Sequence, residues 1–279
     1  MNFRTRFAPS PTGLLHLGHA YSALLAFDMA EVGEFLLRME DTDKTRCRPE
    51  FEAAIYEDLA WLGITWQTPV WHQSDHLDTY ETALNQLIQA NLCYPCSCTR
   101  RDIRNAQTAP QEGQAIQQTY PGTCRNRKMD ERTKTDAIRL DIRRAINNLP
   151  DLSGIGFTET GPNHTGVHFL NPKHLLTQVG DIVLARHDIS TASYHLCVVL
   201  DDAAQGVTKV VRGEDLFEAS YIHRLLQLLL KLPTPQYHHH PLIRDKHGKR
   251  LAKRDDARAI RIYRDSGTRP DEVRRLIGL

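Results

Sequence analysis

Two histidines three residues apart, His16 and His19, flank Gly18 where a short N-terminal strand pattern gives way to a helical one. A helix N-terminus presents unpaired backbone N–H groups and the positive end of its dipole, which suits a phosphate. Histidines at that spacing face one side and donate to phosphate oxygens, while Gly18, lacking a Cβ, lets a flat ring or a phosphate chain lie against the backbone. A second cluster, Lys249-Arg250-Leu251-Ala252-Lys253-Arg254, follows Gly248. A basic loop of this kind closes over a triphosphate and supplies charge as the phosphorus becomes five-coordinate, by positioning and electrostatics alone. Taken singly, the first cluster reads more simply as a capped helix start with exposed histidines and the second as a solvated basic turn. A third group, Cys96-Ser97-Cys98 with Cys124, offers thiolates that prefer zinc, and a structural zinc site takes four tetrahedral ligands. Three cysteines leave one ligand to be found.

These residues need elements to hold them. Phe3 to Phe7 alternates apolar and charged residues as a strand does, then breaks at Pro9 and Pro11. Leu17, Ala20, Leu24 and Phe27 recur at helical spacing, predicting a helix through about Ala30. Glu34 to Met39 reads as a buried strand ending in the acidic loop Glu40-Asp41-Thr42-Asp43, and Pro49 opens a helix through Trp61. This alternation predicts an α/β fold with a parallel sheet, whose ligands sit at the carboxyl ends of the strands. The loops Ala8 to Gly13 and Glu40 to Asp43 fall there. From about Cys96 to Arg186 the pattern changes, with a Gln-rich stretch from Gln107 to Gln118, and reads as an insertion. Sheet-like patterning resumes at Leu196 to Leu200 and Val207 to Val211, followed by an apolar helix, Ala219 to Leu230. After Pro241 the chain reads as a charged loop and short basic helices.

Length and composition fit this picture. At 279 residues, 41% hydrophobic and 25% charged, the chain has room for one large or two modest domains and falls outside the disordered and collagen-like classes. No apolar run approaches a membrane-spanning length, and the N-terminus lacks a signal-peptide core, so a cytoplasmic protein with no membrane partner is expected. The six cysteines then read as thiols or metal ligands, with Cys47, Cys93 and Cys197 as small buried or semi-buried residues. His72, His76 and the run His238-His239-His240 read as structural or surface positions, because adjacent residues on an extended chain point to opposite faces. The net charge of +1 hides an asymmetry: Arg244 to Leu279 holds twelve basic against six acidic residues, leaving the rest at −5.

Five ordered blocks share a resemblance. Arg6-Phe7-Ala8-Pro9-Ser10-Pro11-Thr12-Gly13, then His16 to His19, then Arg38-Met39-Glu40-Asp41-Thr42-Asp43, then Val199-Leu200-Asp201-Asp202 with Gly206 to Asp215, and finally Arg250 to Arg254, resemble class I aminoacyl-tRNA synthetases of the glutamyl type. His16 to His19 stands for the family's HIGH signature and Arg250 to Arg254 for its KMSKS signature. The second departs from its pattern, with Arg250 for the first Lys and Ala252 for the Ser. The resemblance implies a Rossmann-like catalytic domain in two halves, 1–95 and 187–243, an inserted zinc-containing α/β subdomain at 96–186, and a short helical tail at 244–279. It implies ATP binding by His16, Gly18, His19, Arg250 and Lys253, with His16, His19 and Lys253 catalytic and Mg2+ accompanying ATP. Glutamate carries two carboxylates and one ammonium, a demand met by two cations and an anion. Arg6, Arg212 and Glu40 fit it, and Ala8, Ser10 and Tyr194 are carried over as the remaining pocket positions. Which arginine meets the side-chain carboxylate stays open.

Within that family the chain resembles the short glutamyl-queuosine tRNA(Asp) synthetases. In that group a tyrosine completes the zinc site, which points to Tyr120 beside Cys96, Cys98 and Cys124. Only Asp255 to Leu279 follows the basic loop, so no large anticodon-reading region is expected. The implied chemistry is activation of L-glutamate by ATP without tRNA, then transfer to the queuosine base of tRNA(Asp), by a monomer. Two other readings stay open: a truncated glutamyl-tRNA synthetase charging tRNA(Glu), and a non-catalytic tRNA-binding paralogue.

Overall fold

A computed structural model describes residues 3–99, 101–103, 119–186, 191–243 and 259–279. The first β-α-β unit follows the periodicity of its sequence. Strand β1 (Thr5–Phe7) is buried on both faces, helix α1 (Leu17–Met29) buries Ala20, Ala23, Leu24 and Ala26, and β2 (Phe35–Met39) returns parallel to β1 with Arg6 opposite Leu36. Small residues on the inner face of α1 let it lie close on the sheet. Helix α2 (Pro49–Trp61) starts with Pro at its first turn, where no N–H is needed, and β3 (Trp71–His72) adds a third parallel strand beside β2.

The sheet reverses direction of growth at β1. On its other side lies β10 (Lys209–Gly213), tied to it by bonds from the Thr208 and Lys209 backbone N–H groups to the Arg4 carbonyl. Strand β11 (Gln236–His240) pairs parallel to β10. The order β3-β2-β1, then β10-β11, is that of a doubly wound fold, and β1/β10 is its switch point. Helix α3 (Leu77–Gln89) follows β3, and helices α5 (Tyr194–Ala204) and α6 (Ala219–Leu229) bury Leu196, Val198, Val199, Leu225 and Leu226 in one apolar cluster. Each such side chain contributes about 1.5–3 kcal/mol.

A second sheet lies between the two halves in sequence. Strands β4 (Cys93–Cys96), β5 (Ala137–Leu140), β8 (Ile182–Arg186) and β9 (Thr191–Ala192) pair antiparallel in that order, with helix α4 (Ile142–Asn147) capped by Asp141. The hairpin β6 (Gly156–Glu159) and β7 (Gly166–Phe169) falls within 96–186 but joins the other sheet, with Glu159 paired to Tyr237 of β11. Leu196 to Leu200 is helical, not sheet-like: its run of apolar residues is buried on more than one side of α5, so the alternation expected of an amphipathic helix is absent.

The tail packs back as α7 (Ile260–Asp265) and α8 (Pro270–Ile277). Ile260, Val273 and Ile277 enter the core around α1 and β2. Arg264 pairs with Asp58 of α2 at 3.1 Å, and Arg274 with Asp28 of α1 at 2.7 Å. Part of the tail's positive charge is therefore met within the chain. No described helix is long and apolar enough to cross a membrane.

Candidate functional site

The loops after β1 and β2 meet α5 in one cleft of about 130 Å³. Ser10 and Thr12 come from the first loop, Glu40, Thr42 and Asp43 from the second, and Tyr194 and Cys197 from the first turns of α5. Glu40 is fixed by its backbone N–H to Pro9 O at 3.0 Å, so the two loops hold each other. Three of the expected pocket residues, Ser10, Glu40 and Tyr194, line this cleft directly. Arg6, Ala8 and Arg212 do not line it. Arg6 of β1 and Arg212 of β10 are buried, 4% and 6% exposed, and Arg212 Nη1 reaches the Tyr194 hydroxyl at 3.4 Å.

The floor beneath Glu40 is a buried ionic cluster. Asp202 accepts from Arg6 Nε at 3.0 Å and from Arg38 Nη1 at 2.8 Å. Burial alone would raise the Asp202 pKa, but the two guanidinia overcome it and hold the carboxyl below the usual range. Asp201 accepts from the Tyr80 hydroxyl and Gln73 Nε2, both at 2.7 Å, and from Trp71 Nε1 at 3.2 Å. Arg38 is fully buried, and its Nη2 lies 3.8 Å from Glu40. Desolvation pushes Glu40 up to about 7, against the pull of Arg38 and Arg6. An ammonium entering the cleft would favour its ionised form.

His16 and His19 form the N-terminus of α1. The Gly18 N–H donates to His16 Nδ1 at 3.1 Å, and the His16 N–H donates to His19 Nδ1 at 3.2 Å. Because both Nδ1 atoms accept, the neutral rings carry their protons on Nε2, the arrangement needed to donate to a phosphate oxygen. The rings stack with centroids 3.7 Å apart. A Cβ on Gly18 would lie 3.1 Å from His16 Cε1, a tight contact that would displace the ring by a few tenths of an ångström. Ala259 bridges to His16, and His240 Nε2 sits 2.7 Å from Ser22 Oγ of α1. Ala259, the first described residue after the span 244–258, and His240, shortly before it, thus both lie against α1. Arg250 and Lys253 belong to that span and lie outside the described residues.

The four expected metal ligands come together. Cys96 ends β4, Cys98 follows it, and Tyr120 and Cys124 belong to a turn in which the Cys124 N–H donates to the Tyr120 hydroxyl at 2.9 Å. The three sulfurs lie within 4.8 Å of one another, with Cys98 and Cys124 3.5 Å apart. The tyrosine oxygen lies 3.4 Å from Cys96 Sγ and 3.5 Å from Cys98 Sγ. Zinc–sulfur bonds of about 2.3 Å make a tetrahedron with edges of about 3.8 Å, so the donor set and its spacing fit a zinc ion. Cys93 is buried apart from this group, and Cys47 and Cys197 are a half-buried and a buried thiol.

Sequence reasoning missed the support behind Arg212. His239 of β11, His223 of α6 and Ser220 surround its guanidinium. No spacing rule links three residues from two separate elements to a fourth, and the His238-His239-His240 run gave no sign that one of its members would hold an arginine.

The family profile described as tRNA synthetases class I (E and Q), catalytic domain, matches residues 2–279. The chain is 55% identical over 283 residues to the glutamyl-Q tRNA(Asp) synthetase of Rhodobacter capsulatus, covering 99% of each chain. It is 38% identical over 272 residues to the glutamyl-Q tRNA(Asp) synthetase of Albidiferax ferrireducens, covering 91% of this chain and 85% of that one. Among solved structures, the glutamate-tRNA synthetase of Elizabethkingia anophelis superposes with a TM-score of 0.72 at 26% identity over 91% of this chain. The chain spans about half the length of that structure, 53%. A chain matched end to end by the family profile, and at more than half identity by a full-length member, belongs to the class I (E and Q) tRNA synthetases, within the glutamyl-Q tRNA(Asp) synthetase group.

Proposed function

We propose that the protein activates L-glutamate with ATP, as its Mg2+ complex, to glutamyl-adenylate without tRNA, and then transfers the glutamyl group to the queuosine base of tRNA(Asp). The observation that carries this reading is the small polar cleft at the switch point. It has Glu40 on its wall for an ammonium and Arg212 behind Tyr194 for a carboxylate. Relatives named glutamyl-Q tRNA(Asp) synthetase, matched over 99% and 91% of this chain, support the acceptor.

In the first step the α-carboxylate of glutamate attacks the α-phosphorus of ATP, and pyrophosphate leaves. His16 and His19 donate from Nε2 to phosphate oxygens as charge develops, at the positive end of α1. Lys253 and Arg250 complete the charge from the basic loop. In the second step a hydroxyl of queuosine's cyclopentene ring attacks the mixed anhydride and AMP leaves. No enzyme nucleophile is required. Zinc held by Cys96, Cys98, Tyr120 and Cys124 supplies a structural cross-link. We assign residues 1–95 and 187–243 to the catalytic halves, 96–186 to the insertion, and 244–279 to the basic loop and tail. ATP–pyrophosphate exchange tests the first step: it should run with glutamate alone. Exchange that requires tRNA, or that runs equally with glutamine, would overturn the reading.

A further inference from the structure

Arg212 and Arg6 are both buried, yet their charges are met differently. Arg6 has the Asp202 carboxylate at 3.0 Å. Arg212 has no carboxylate within 4.0 Å among the described residues, although a guanidinium stays charged and a buried cation normally keeps an anionic partner. All five of its N–H groups are engaged, and every acceptor is neutral. Nε donates to His239 Nε2 at 3.0 Å, Nη1 to His223 Nδ1 at 3.1 Å, and Nη2 to Ser220 Oγ at 2.8 Å and Leu216 O at 3.2 Å. The fifth bond, to the Tyr194 hydroxyl, is the longest, and Tyr194 is the partner that opens onto the cleft.

The histidines must be neutral, in defined tautomers, for these bonds to exist. A guanidinium only donates, so His239 Nε2 accepts and its proton sits on Nδ1, directed at Glu159. Glu159 in turn accepts the His239 N–H at 2.9 Å and the Gly161 N–H at 2.5 Å. Burial would raise the Glu159 pKa, but these donors hold it at about 2, so it is ionised. A Cβ on Gly161 would come within 2.1 Å of His239 O, which keeps this turn closed on the pair. His223 likewise accepts on Nδ1, so its Nε2 proton points to His195 Nδ1 at 3.1 Å. Burial and the nearby Arg212 charge hold His223 well below its ordinary pKa.

We propose that His239 and His223, with Glu159 behind His239, are positioning residues that set specificity for an anionic substrate. They fix Arg212 on uncharged acceptors, so its charge is left for a substrate carboxylate that replaces Tyr194. A carboxylate in place of either histidine would neutralise Arg212 and remove its reason to prefer glutamate over glutamine. This rests on the glutamate reading of the cleft.

The test is ATP–pyrophosphate exchange on the full chain, with KM measured separately for glutamate and for ATP. Glu159→Gln is nearly isosteric, but its amide NH2 must face one of three donors, so His239 loses its tautomer or its hold. Glu159→Gln and His239→Leu should raise the glutamate KM about tenfold or more, leave the ATP KM within about twofold, and narrow the preference for glutamate over glutamine. His239→Gln, which keeps an acceptor near Nε2, should recover most of the loss. Equal losses in both KM values, or no better activity in His239→Gln than in His239→Leu, would overturn the proposal. Melting temperature is read on every variant. If Glu159→Gln or His239→Leu does not fold, His223→Asn against His223→Leu decides the point, since Asn keeps an acceptor at the Nδ1 position. A wild-type protein with no glutamate-dependent exchange defeats the functional reading itself, whereas an active wild type with indifferent variants defeats only this inference.

Discussion

Asp202→Asn removes a carboxylate shared by two buried guanidinia. In the wild type its oxygens lie 3.0 Å from Arg6 Nε and 2.8 Å from Arg38 Nη1, with all three side chains at most 8% exposed. Asparagine keeps the shape and one acceptor, but turns an NH2 group toward a guanidinium and deletes the charge. Removing one partner from a buried ion pair costs about 3–5 kcal/mol, because the surviving charge stays desolvated. Arg38 keeps Asp201 at 3.8 Å and Glu40 at 3.8 Å, which places the expected loss near the lower end, about 3 kcal/mol. For a chain of this length that corresponds to a fall in Tm of about 5 °C. The sign of the pH dependence follows from the depressed Asp202 pKa. Its stabilisation is fully present above the ordinary carboxylate value near 4 and is lost as pH falls through the lowered folded value. Calorimetry of both proteins should therefore give a constant Tm difference between about pH 7 and pH 5, closing below about pH 4. A difference under about 1 °C at neutral pH, or one that widens on acidification, would show that the Asp202 charge does not hold the two guanidinia in this way.

Glu40, pushed up to about 7 by desolvation, must be ionised to meet an ammonium, so kcat/KM for glutamate should rise with pH through 7 and then level. Glu40→Gln should remove that rise; an unchanged pH profile in the variant assigns it to another group. Gly18→Ala places a methyl 3.1 Å from His16 Cε1 and should raise the ATP KM about tenfold while leaving the glutamate KM near its wild-type value, as read by pyrophosphate exchange. Purified protein should carry about one zinc per chain by elemental analysis, and Cys124→Ser should lose it together with thermal stability.

The sequence made some parts of this molecule legible and left others hidden, for physical reasons. The β1–α1–β2–α2 stretch declares itself because strand alternation, helical spacing and the Pro49 start signal agree with what the chain buries. Leu196 to Leu200 misleads because α5 is buried on more than one side, which erases the helical period. The hairpin β6–β7 hides inside the stretch read as an insertion, since pairing with β11 depends on residues some eighty positions away. In the candidate site, the loops after β1 and β2 were readable from strand ends and from the ordered blocks. Asp201 and Asp202 were visible as a block, but their division of labour was not. Asp202 serves Arg6 and Arg38 while Asp201 serves Tyr80, Gln73 and Trp71, a distinction set entirely by tertiary contacts. The histidine support of Arg212 carries no local signal at all.

In the proposed reaction glutamate moves onto a modified base of tRNA(Asp). Its most direct test is transfer of radiolabelled glutamate to tRNA(Asp) prepared with and without queuosine, alongside tRNA(Glu). ATP-dependent label is expected on queuosine-containing tRNA(Asp) alone. Label that persists on tRNA(Asp) lacking queuosine, or that appears on the 3′ end of tRNA(Glu), would contradict it.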